Sequence, residues 1–177
     1  MAPVGGMPVV VVGLQRTAAQ VATELQLQPH PEGGWYRELH RSEAAVQRRD
    51  GEARSGLTLI VFLLAAGETS GWHRVLQADE TWHFAGGDPL ELWILKPDAG
   101  TPTRRLLGPL GLGGGASGEL IPPVAVVPAG WWQAARSMGS WSLVTCCVGP
   151  GFDFRDFQLL RELPRDQHPL GATESLL

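Results

Sequence analysis

A histidine and a glutamate close together in the chain are the residues best suited to chemistry. His73 lies near the end of one apolar stretch and Glu80 opens the next, with a short polar turn through Gln77 and Asp79 between them. This pattern predicts two antiparallel strands joined by a tight turn, so that both side chains can face the same way. Because a carboxylate orients an imidazole and stabilises its charged form, His73 and Glu80 are a candidate pair for proton transfer near neutral pH.

The same two residues could serve other purposes. With the amide oxygen of Gln133 as a weaker third donor, His73 and Glu80 could hold a divalent metal ion. A tight site for a first-row metal uses at least three imidazole or carboxylate ligands, so we expect a pocket without a metal cofactor and keep the metal as an alternative. The remaining possibility is that the two side chains only satisfy each other's hydrogen bonds in the interior.

A block of glycine and aromatic residues, 31–38, precedes this pair in the chain. Gly33 and Gly34 let the backbone turn tightly into a strand, after which alternate residues reach one face. Arg37 could bind a phosphate or carboxylate of a ligand through its guanidinium group, or it could pair with a neighbouring Glu. Tyr36, the single tyrosine of the chain, could donate a proton.

Seven tryptophans are a large number for 177 residues. Aromatic faces stack on sugars and heterocyclic rings. If His73 points inward, the alternation of a strand brings Glu80, Trp82 and Phe84 inward as well. We therefore predict that Trp82, Phe84 and Gln133 contribute to ligand binding. Packing in the core or at a subunit interface is the alternative for most of the tryptophans.

Strands separated by turns dominate the predicted secondary structure. The 23 glycines and 14 prolines suit many short strands, and no helical periodicity is sustained over most of the chain. A short helix is expected over residues 17–27, since Thr17 can cap it and Pro29 follows it. The strands predicted after it are residues 34–40, 57–64, 90–95, 124–127 and 141–148, followed by aromatic residues at alternating positions from 152 to 160.

One compact domain accounts for the length of the chain. We expect a flexible N-terminus at residues 1–16, the domain at 17–163 and a loosely held C-terminal tail at 164–177. The glycine-rich stretch 108–118 is expected to be a flexible loop, either a lid or a spacer. The formal net charge of −4 and the absence of a basic run argue against a nucleic-acid partner.

Cysteine usage and hydropathy bear on the compartment. Cys146 and Cys147 are adjacent in a predicted strand and would point to opposite faces, which disfavours a bond between them. A reduced, cytoplasmic setting is the simplest interpretation. The apolar run at residues 9–12 has no basic residues before it, and no stretch approaches the roughly 18 apolar residues that span a bilayer. We therefore expect neither a cleaved signal nor a membrane partner.

Two spacings in the chain resemble the signatures of the cupin superfamily. The positions on the first signature are Gly67, His73, Val75, Glu80 and Gly87. Val75 stands where cupins usually carry a second His. Residues 127–133 resemble the second signature, with Gln133 in place of its His.

Four blocks, at residues 30–38, 72–75, 128–133 and 149–157, together resemble an uncharacterised branch of the cupins. The resemblance implies an all-β, single-domain cupin fold, a double-stranded β-helix or jelly-roll barrel, here with a short N-terminal helix. It also implies pairing into homodimers. In metal-free sugar epimerases of the superfamily a Tyr acts with a His base, which implies a catalytic role for Tyr36 beside His73.

Three functions are open on this basis. The first is a metal-free isomerase or epimerase that acts on a sugar-like or nucleotide-linked substrate through the acid–base chemistry of His73 and Glu80. The second is a non-catalytic protein that binds a small polar metabolite. The third is a metal-dependent oxygenase or lyase that uses His73, Glu80 and Gln133.

Overall fold

A computed structural model describes residues 16–112 and 120–176, and strands form most of their regular structure. The helix and strands are α1 (Ala18–Glu24), β1 (Gln28–Pro29), β2 (Trp35–Arg41), β3 (Ala45–Gln47), β4 (Ala53–Ser55), β5 (Thr58–Ala65), β6 (Thr69–Val75), β7 (Asp79–Gly87), β8 (Leu90–Leu95), β9 (Thr103–Leu107), β10 (Gly111–Leu112), β11 (Leu120–Ile121), β12 (Val124–Val127), β13 (Trp132–Ser137), β14 (Trp141–Gly149) and β15 (Phe157–Leu159). Single turns of 3₁₀ helix lie at Phe154–Asp156, Leu160–Glu162, Arg165–Gln167 and Glu174–Leu176. Residues 1–15 of the predicted flexible N-terminus and 113–119 of the predicted glycine-rich loop lie outside the described ranges.

The N-terminal helix begins at the cap that the sequence predicts. The Thr17 hydroxyl accepts a hydrogen bond from the Gln20 amide at 3.3 Å, and the Gln20 side chain accepts one from the Thr17 amide at 2.8 Å. This capping box satisfies two of the free amides at the helix start. The helix ends earlier than predicted, at Glu24, because Gln26 adopts a left-handed conformation with φ of 56°. No helix in the described ranges is long and apolar enough to cross a membrane.

Two antiparallel sheets enclose one core, as the predicted jelly-roll requires. The larger sheet has the order β1-β2-β5-β14-β7-β12 and the smaller has the order β15-β6-β13-β8-β9. Inward side chains of both sheets pack together, among them Phe62, Leu64, Trp82, Leu92, Ile94 and Val144. Along β14 burial alternates, so that Cys146 is buried and Cys147 is half-buried, and both are free thiols. The prediction that the two cysteines face opposite ways is confirmed.

The strands that carry His73 and Glu80 are not a hairpin, so this prediction is wrong. β6 pairs with β13 and β15 in the smaller sheet, whereas β7 pairs with β12 and β14 in the larger one. The connection at residues 76–78 passes between the sheets, and its backbone bonds to remote segments: Leu76 N–H donates to Asp156 O at 2.8 Å. Consequently His73 and Glu80 reach the interior from opposite sheets.

The C-terminal tail, expected to be loosely held, packs against the outer face of the smaller sheet. The Trp72 indole N–H donates to the Thr173 carbonyl at 3.2 Å. Leu176 is only 2% exposed, in a cluster with Trp72, Trp132 and Leu160. The tail differs from the expectation because these tryptophans on the outer face would otherwise expose a large apolar surface.

Candidate active site

A cavity of about 350 Å³ opens between the inner faces of the two sheets. The polar side chains on its inner lining are His30, Glu32, Tyr36, His73, Glu80 and Cys146. Aromatic rings form part of its wall, namely Phe62, Phe152, Phe154 and Phe157. His73, Glu80 and Tyr36, the residues that the sequence suggests for catalysis, therefore share this cavity with two residues that were not predicted, His30 and Glu32.

A tight turn before β2 brings His30 and Glu32 to the cavity. The Gly33 amide donates to the His30 carbonyl at 3.0 Å, and the Glu32 carbonyl accepts from the Gly71 amide at 2.8 Å. Gly33 has φ of 105°, and a Cβ atom there would lie 2.2 Å from the Thr69 carbonyl oxygen. Only glycine fits this position. The predicted tight turn thus holds Glu32 beside β6, the strand that carries His73.

Glu32 and His73 are in close contact inside the cavity. His73 Nδ1 lies 2.8 Å from the Gly71 carbonyl oxygen, which can only accept, so Nδ1 carries a hydrogen. His73 Nε2 lies 3.2 Å from Glu32 Oε2, and the Ser70 hydroxyl donates to Glu32 Oε1 at 2.8 Å. Nε2 of a neutral His73 presents a lone pair, so the contact with Glu32 avoids repulsion only if one of the two groups carries a proton.

Burial decides where that proton resides at neutral pH. Glu32 is 6% exposed and His73 is 1% exposed, so both charged forms are poorly solvated. Burial raises the pKa of Glu32 to about 8, although the Ser70 hydrogen bond opposes the rise. Burial also lowers the pKa of His73, against the attraction of Glu80. The neutral pair is therefore favoured at neutral pH, with the proton on Glu32 and the acceptor lone pair on His73.

Glu80 is held by a relay of hydrogen bonds that crosses between the sheets. The Gln133 amide nitrogen donates to Glu80 Oε2 at 2.6 Å, and the Trp82 indole N–H donates to Gln133 Oε1 at 2.8 Å. Burial raises the pKa of Glu80 to about 7, while His73 opposes the rise and Glu32 adds to it. Glu80 is therefore close to half-ionised at neutral pH, which suits a group that both takes and returns a proton.

Residues 19–160 match the family described as "Cupin superfamily (DUF985)". The chain belongs to the cupin superfamily. The matched region contains both sheets and the whole inner lining of the cavity, and it confirms the resemblance seen in the sequence.

Solved structures support the assignment of this cupin. Protein SO0799 from Shewanella oneidensis is 36% identical with a TM-score of 0.71, over 82% of this chain and 85% of that one. A hypothetical protein from Leishmania major is 32% identical with a TM-score of 0.72, over 91% of this chain and 97% of that one. The capsular polysaccharide assembling protein CapF from Staphylococcus aureus is 13% identical, with a TM-score of 0.55 over 76% of this chain and 32% of that one, and shares the fold alone. No curated protein matches the chain.

The residues predicted to bind a ligand lie outside the cavity lining of this cupin. Trp82 belongs to the core below the cavity, and Gln133 is 1% exposed between Trp82 and Glu80. Phe84 lies further along β7, where its amide donates to the Pro123 carbonyl at 2.7 Å. Arg37 points to the other face of β2 and donates to Gln26 Oε1 at 3.0 Å. Alternation along β2 explains this, since Tyr36 and Glu38 take the inward positions.

A bulge in β2 brings a different arginine to the cavity. Glu38 pairs with Ile60 and His40 pairs with the next residue, Leu59, so Leu39 is an extra residue in the strand. A bulge reverses which side chains face inward beyond it. Arg41 consequently lines the cavity mouth, where its guanidinium donates to Glu38 Oε2 at 2.7 Å and to the Phe152 carbonyl at 2.9 Å.

The donor set considered for a metal ion does not fit. Both ends of the Gln133 amide are engaged, the oxygen by Trp82 and the nitrogen by Glu80. Val75, at the position of the second His in other cupins, offers no donor atom and simply lines the cavity. Within 16–112 and 120–176, no three His, Cys, Asp or Glu side chains are grouped so as to hold one ion. His73, Glu80 and Gln133 therefore do not form a three-ligand site in this arrangement.

One sequence signal could have identified the two missed residues. His30 and Glu32 flank a proline directly before the two glycines of the tight turn. A turn that tolerates only glycine is held against other backbone, so ionisable residues within it are strong candidates for an interior role.

Proposed function

We propose that this cupin is an isomerase or epimerase that moves a proton to and from carbon, on a small sugar-like or nucleotide-linked substrate, without a metal. The observation that supports the proposal is a single cavity lined by two buried carboxyl groups, Glu32 and Glu80, and by the buried imidazole of His73. Burial places the pKa values of these carboxyl groups at about 8 and about 7. Carboxyl groups poised near neutral pH are suited to acid–base catalysis.

Each ionisable group has one role in the proposed proton transfer. Glu80, as the carboxylate, removes a proton from a carbon next to a carbonyl group, and the C–H electron pair forms an enolate. Glu32, which is protonated and lies beside His73, returns a proton to the enolate from the other side. Glu80 belongs to the larger sheet and Glu32 is held against β6 of the smaller sheet, so a substrate bound between the sheets would lie between base and acid. Tyr36 lines the same cavity and is a further proton donor.

The size and wall of the cavity agree with a substrate of this kind. Its volume of about 350 Å³ is at the lower end of the range of roughly 300–1,000 Å³ found for small-molecule sites. Phe152 and Phe154 lie at 5.0 Å between ring centroids near the mouth and offer faces for a sugar or a base. We expect a single sugar ring to occupy the inner cavity and a linked nucleotide to extend past the aromatic rings.

Exchange of carbon-bound hydrogen with solvent tests the proposal. The full-length protein is incubated in ²H₂O with a panel of keto sugars and nucleotide-linked keto sugars, and loss of proton NMR signals next to the carbonyl is followed. We expect at least one probe to exchange, and Glu80→Gln to slow that exchange by about 100-fold or more, since the amide cannot accept the proton. Glu43→Gln, at an exposed site, is the matched control and should exchange at the wild-type rate.

Two results of this experiment would contradict the proposal. If no probe exchanges while one of them raises the melting temperature, the protein is a binding protein for that compound. If a probe exchanges equally fast with Glu80→Gln, the proton is moved by another group and the assigned mechanism is wrong.

A further inference from the structure

We propose that His30 is a further catalytic residue, whose Nε2–H donates a hydrogen bond to the carbonyl oxygen of the substrate and stabilises the negative charge of the enolate. This inference rests on the proposed function and deepens it, because it requires a carbonyl oxygen on the substrate, next to the carbon that exchanges its proton.

Backbone geometry sets the tautomer of His30. The amide N–H of Glu32 donates to His30 Nδ1 at 3.3 Å. A backbone amide can only donate, so Nδ1 presents its lone pair there and the neutral ring carries its hydrogen on Nε2. Glu32 Oε2 also lies 3.4 Å from the same nitrogen, but this contact does not have hydrogen-bond geometry, so it does not require a hydrogen on Nδ1.

The donor of His30 is open to the cavity. The His30 side chain is 6% exposed and lines the cavity. Within the described ranges no protein group accepts a hydrogen bond from His30 Nε2. This nitrogen is also not fully enclosed: among the described residues, the side-chain nitrogen that is both fully enclosed and without a partner is Trp93 Nε1. An almost completely buried donor that keeps contact with cavity space is available to a ligand.

Aromatic neighbours hold the ring in this orientation. The His30 ring meets Tyr36 edge-on at 4.5 Å between centroids, and it meets Phe62 and Phe157 edge-on at 5.9 Å and 6.0 Å. Packing on three sides restricts rotation of the imidazole. A donor that is fixed before the substrate arrives costs little reorganisation when charge develops on the oxygen.

The charge state of His30 suits this role. Burial, with a contribution from His73, lowers the pKa of His30 to about 4, so the ring is neutral at the pH of the cell. A neutral imidazole donates a hydrogen bond without giving up its proton, and neutral histidines act as electrophiles in this way in other isomerases.

Groups in the cavity account for every proton and electron pair of the proposed enolisation. Glu80 takes the proton from carbon, the C–H pair becomes the new C=C bond, and the carbonyl π pair moves onto the oxygen. The His30 N–H stays on its nitrogen throughout and is hydrogen-bonded to that oxygen. When a proton returns to carbon from Glu80 or Glu32, the carbonyl reforms and nothing else is consumed.

Long-range ¹H–¹⁵N NMR of the unliganded full-length protein tests the tautomer. We expect His30 to be neutral, with hydrogen on Nε2, from about pH 6 to about pH 8. We also expect the ¹⁵N signal of Nε2 to shift when dihydroxyacetone, D-fructose or a nucleotide-linked keto sugar is added. Hydrogen on Nδ1, a doubly protonated ring at about pH 6, or no shift with any of these carbonyl compounds would overturn the inference.

Variants test the catalytic role against a merely structural one. We expect His30→Leu to lower kcat for solvent exchange by about 100-fold with little change in KM, because the donor acts on charge that develops in the transition state. His30→Gln, which keeps an N–H donor, should recover part of the rate. His40→Leu, at an exposed site, is the control. Melting curves establish that each variant is folded.

The two proposals fail in distinguishable ways. If a probe exchanges and His30→Leu exchanges it at the wild-type rate, the role of His30 is wrong and the proposed function stands. If no probe exchanges, the proposed function fails, and the NMR shift alone decides whether His30 binds a carbonyl oxygen.

Discussion

At the scale of single residues, the site is defined by carboxyl groups buried without a cationic partner. Arg41, the arginine on the cavity lining, is already paired with Glu38 at the mouth. Glu32 and Glu80 therefore lose hydration without gaining a full positive charge, and they hold protons at a pH where surface glutamates have lost them. The proton on Glu32 removes the repulsion between a carboxylate and the lone pair of His73 Nε2, 3.2 Å away.

This arrangement predicts an unusual dependence of stability on pH. The pKa of Glu32 is about 8 in the folded protein against an ordinary 4.5, so the folded state binds more protons than the unfolded state between these values. Stability must then fall as pH rises. The histidines with lowered pKa change the pH dependence of stability only below about pH 6.5. Between about pH 6.5 and about pH 8, the carboxyl groups therefore determine how stability changes with pH.

Glu32→Gln should flatten that slope by up to about 1.4 kcal/mol per pH unit, the value for one proton. Urea denaturation at a series of pH values from about 6.5 to about 8.5 measures it. The same slope in Glu32→Gln and wild type would show that Glu32 titrates normally in the folded protein.

Single site residues can be predicted from the sequence only where the pattern that reveals them is local. His73 and Glu80 could be found because their spacing within one short segment is a local pattern. Glu32 could not be paired with His73 in the same way, since the two meet only through the turn that Gly33 allows. The sequence predicts that Gln133 binds the ligand, but both ends of its amide are already hydrogen-bonded, to Trp82 and to Glu80.

At the scale of elements, irregularities in the strands decide what faces the cavity. The bulge at Leu39 moves Arg41 inward, and Arg37, before the bulge, stays outside. Strand positions such as Leu90–Leu95 and Val124–Val127 were predicted to the residue, because apolar runs between turn residues reveal them. A bulge, or a strand that changes sheet as at residues 76–78, leaves no such local pattern, because remote backbone partners determine it.

The turn at Gly33 should not tolerate a side chain at that position. Gly33→Ala places a Cβ atom 2.2 Å from the Thr69 carbonyl, and we expect it to destabilise the fold by more than about 3 kcal/mol or to prevent folding. Gly51→Ala is the matched control: φ is 88° and nothing lies within 4 Å of the new atom, so only the backbone cost of about 1–2 kcal/mol applies. Urea denaturation compares them, and equal losses would contradict the close approach of the turn to β6.

At the scale of the whole molecule, the C-terminal tail completes the sandwich. The smaller sheet has the cavity on its inner face and Trp72 and Trp132 on its outer face, so it needs cover on both sides. The tail supplies that cover although its sequence carries little apolar periodicity, which is why it was expected to be loose. Pairing into a homodimer and a cytoplasmic location stay predictions.

Truncation of one tail side chain tests this cover. Leu176→Ala should lower the free energy of unfolding by about 2–4 kcal/mol, because Leu176 is 2% exposed among large side chains. Leu170→Ala, at a leucine that is 98% exposed in the same tail, should leave it unchanged. If both variants unfold like the wild type, the tail does not contribute to the core.

The claim at the centre of this account is that the cavity holds two carboxyl groups that titrate near neutral pH. Direct titration of the glutamate side-chain carboxyl carbons by ¹³C NMR measures it, with Glu32→Gln and Glu80→Gln assigning the signals. We predict two coupled transitions with apparent pKa values of about 7 and about 8, each altered when either residue is replaced. If every glutamate instead titrates near the ordinary value of about 4.5, the cavity contains no poised acid or base, and the proposed proton transfer is wrong.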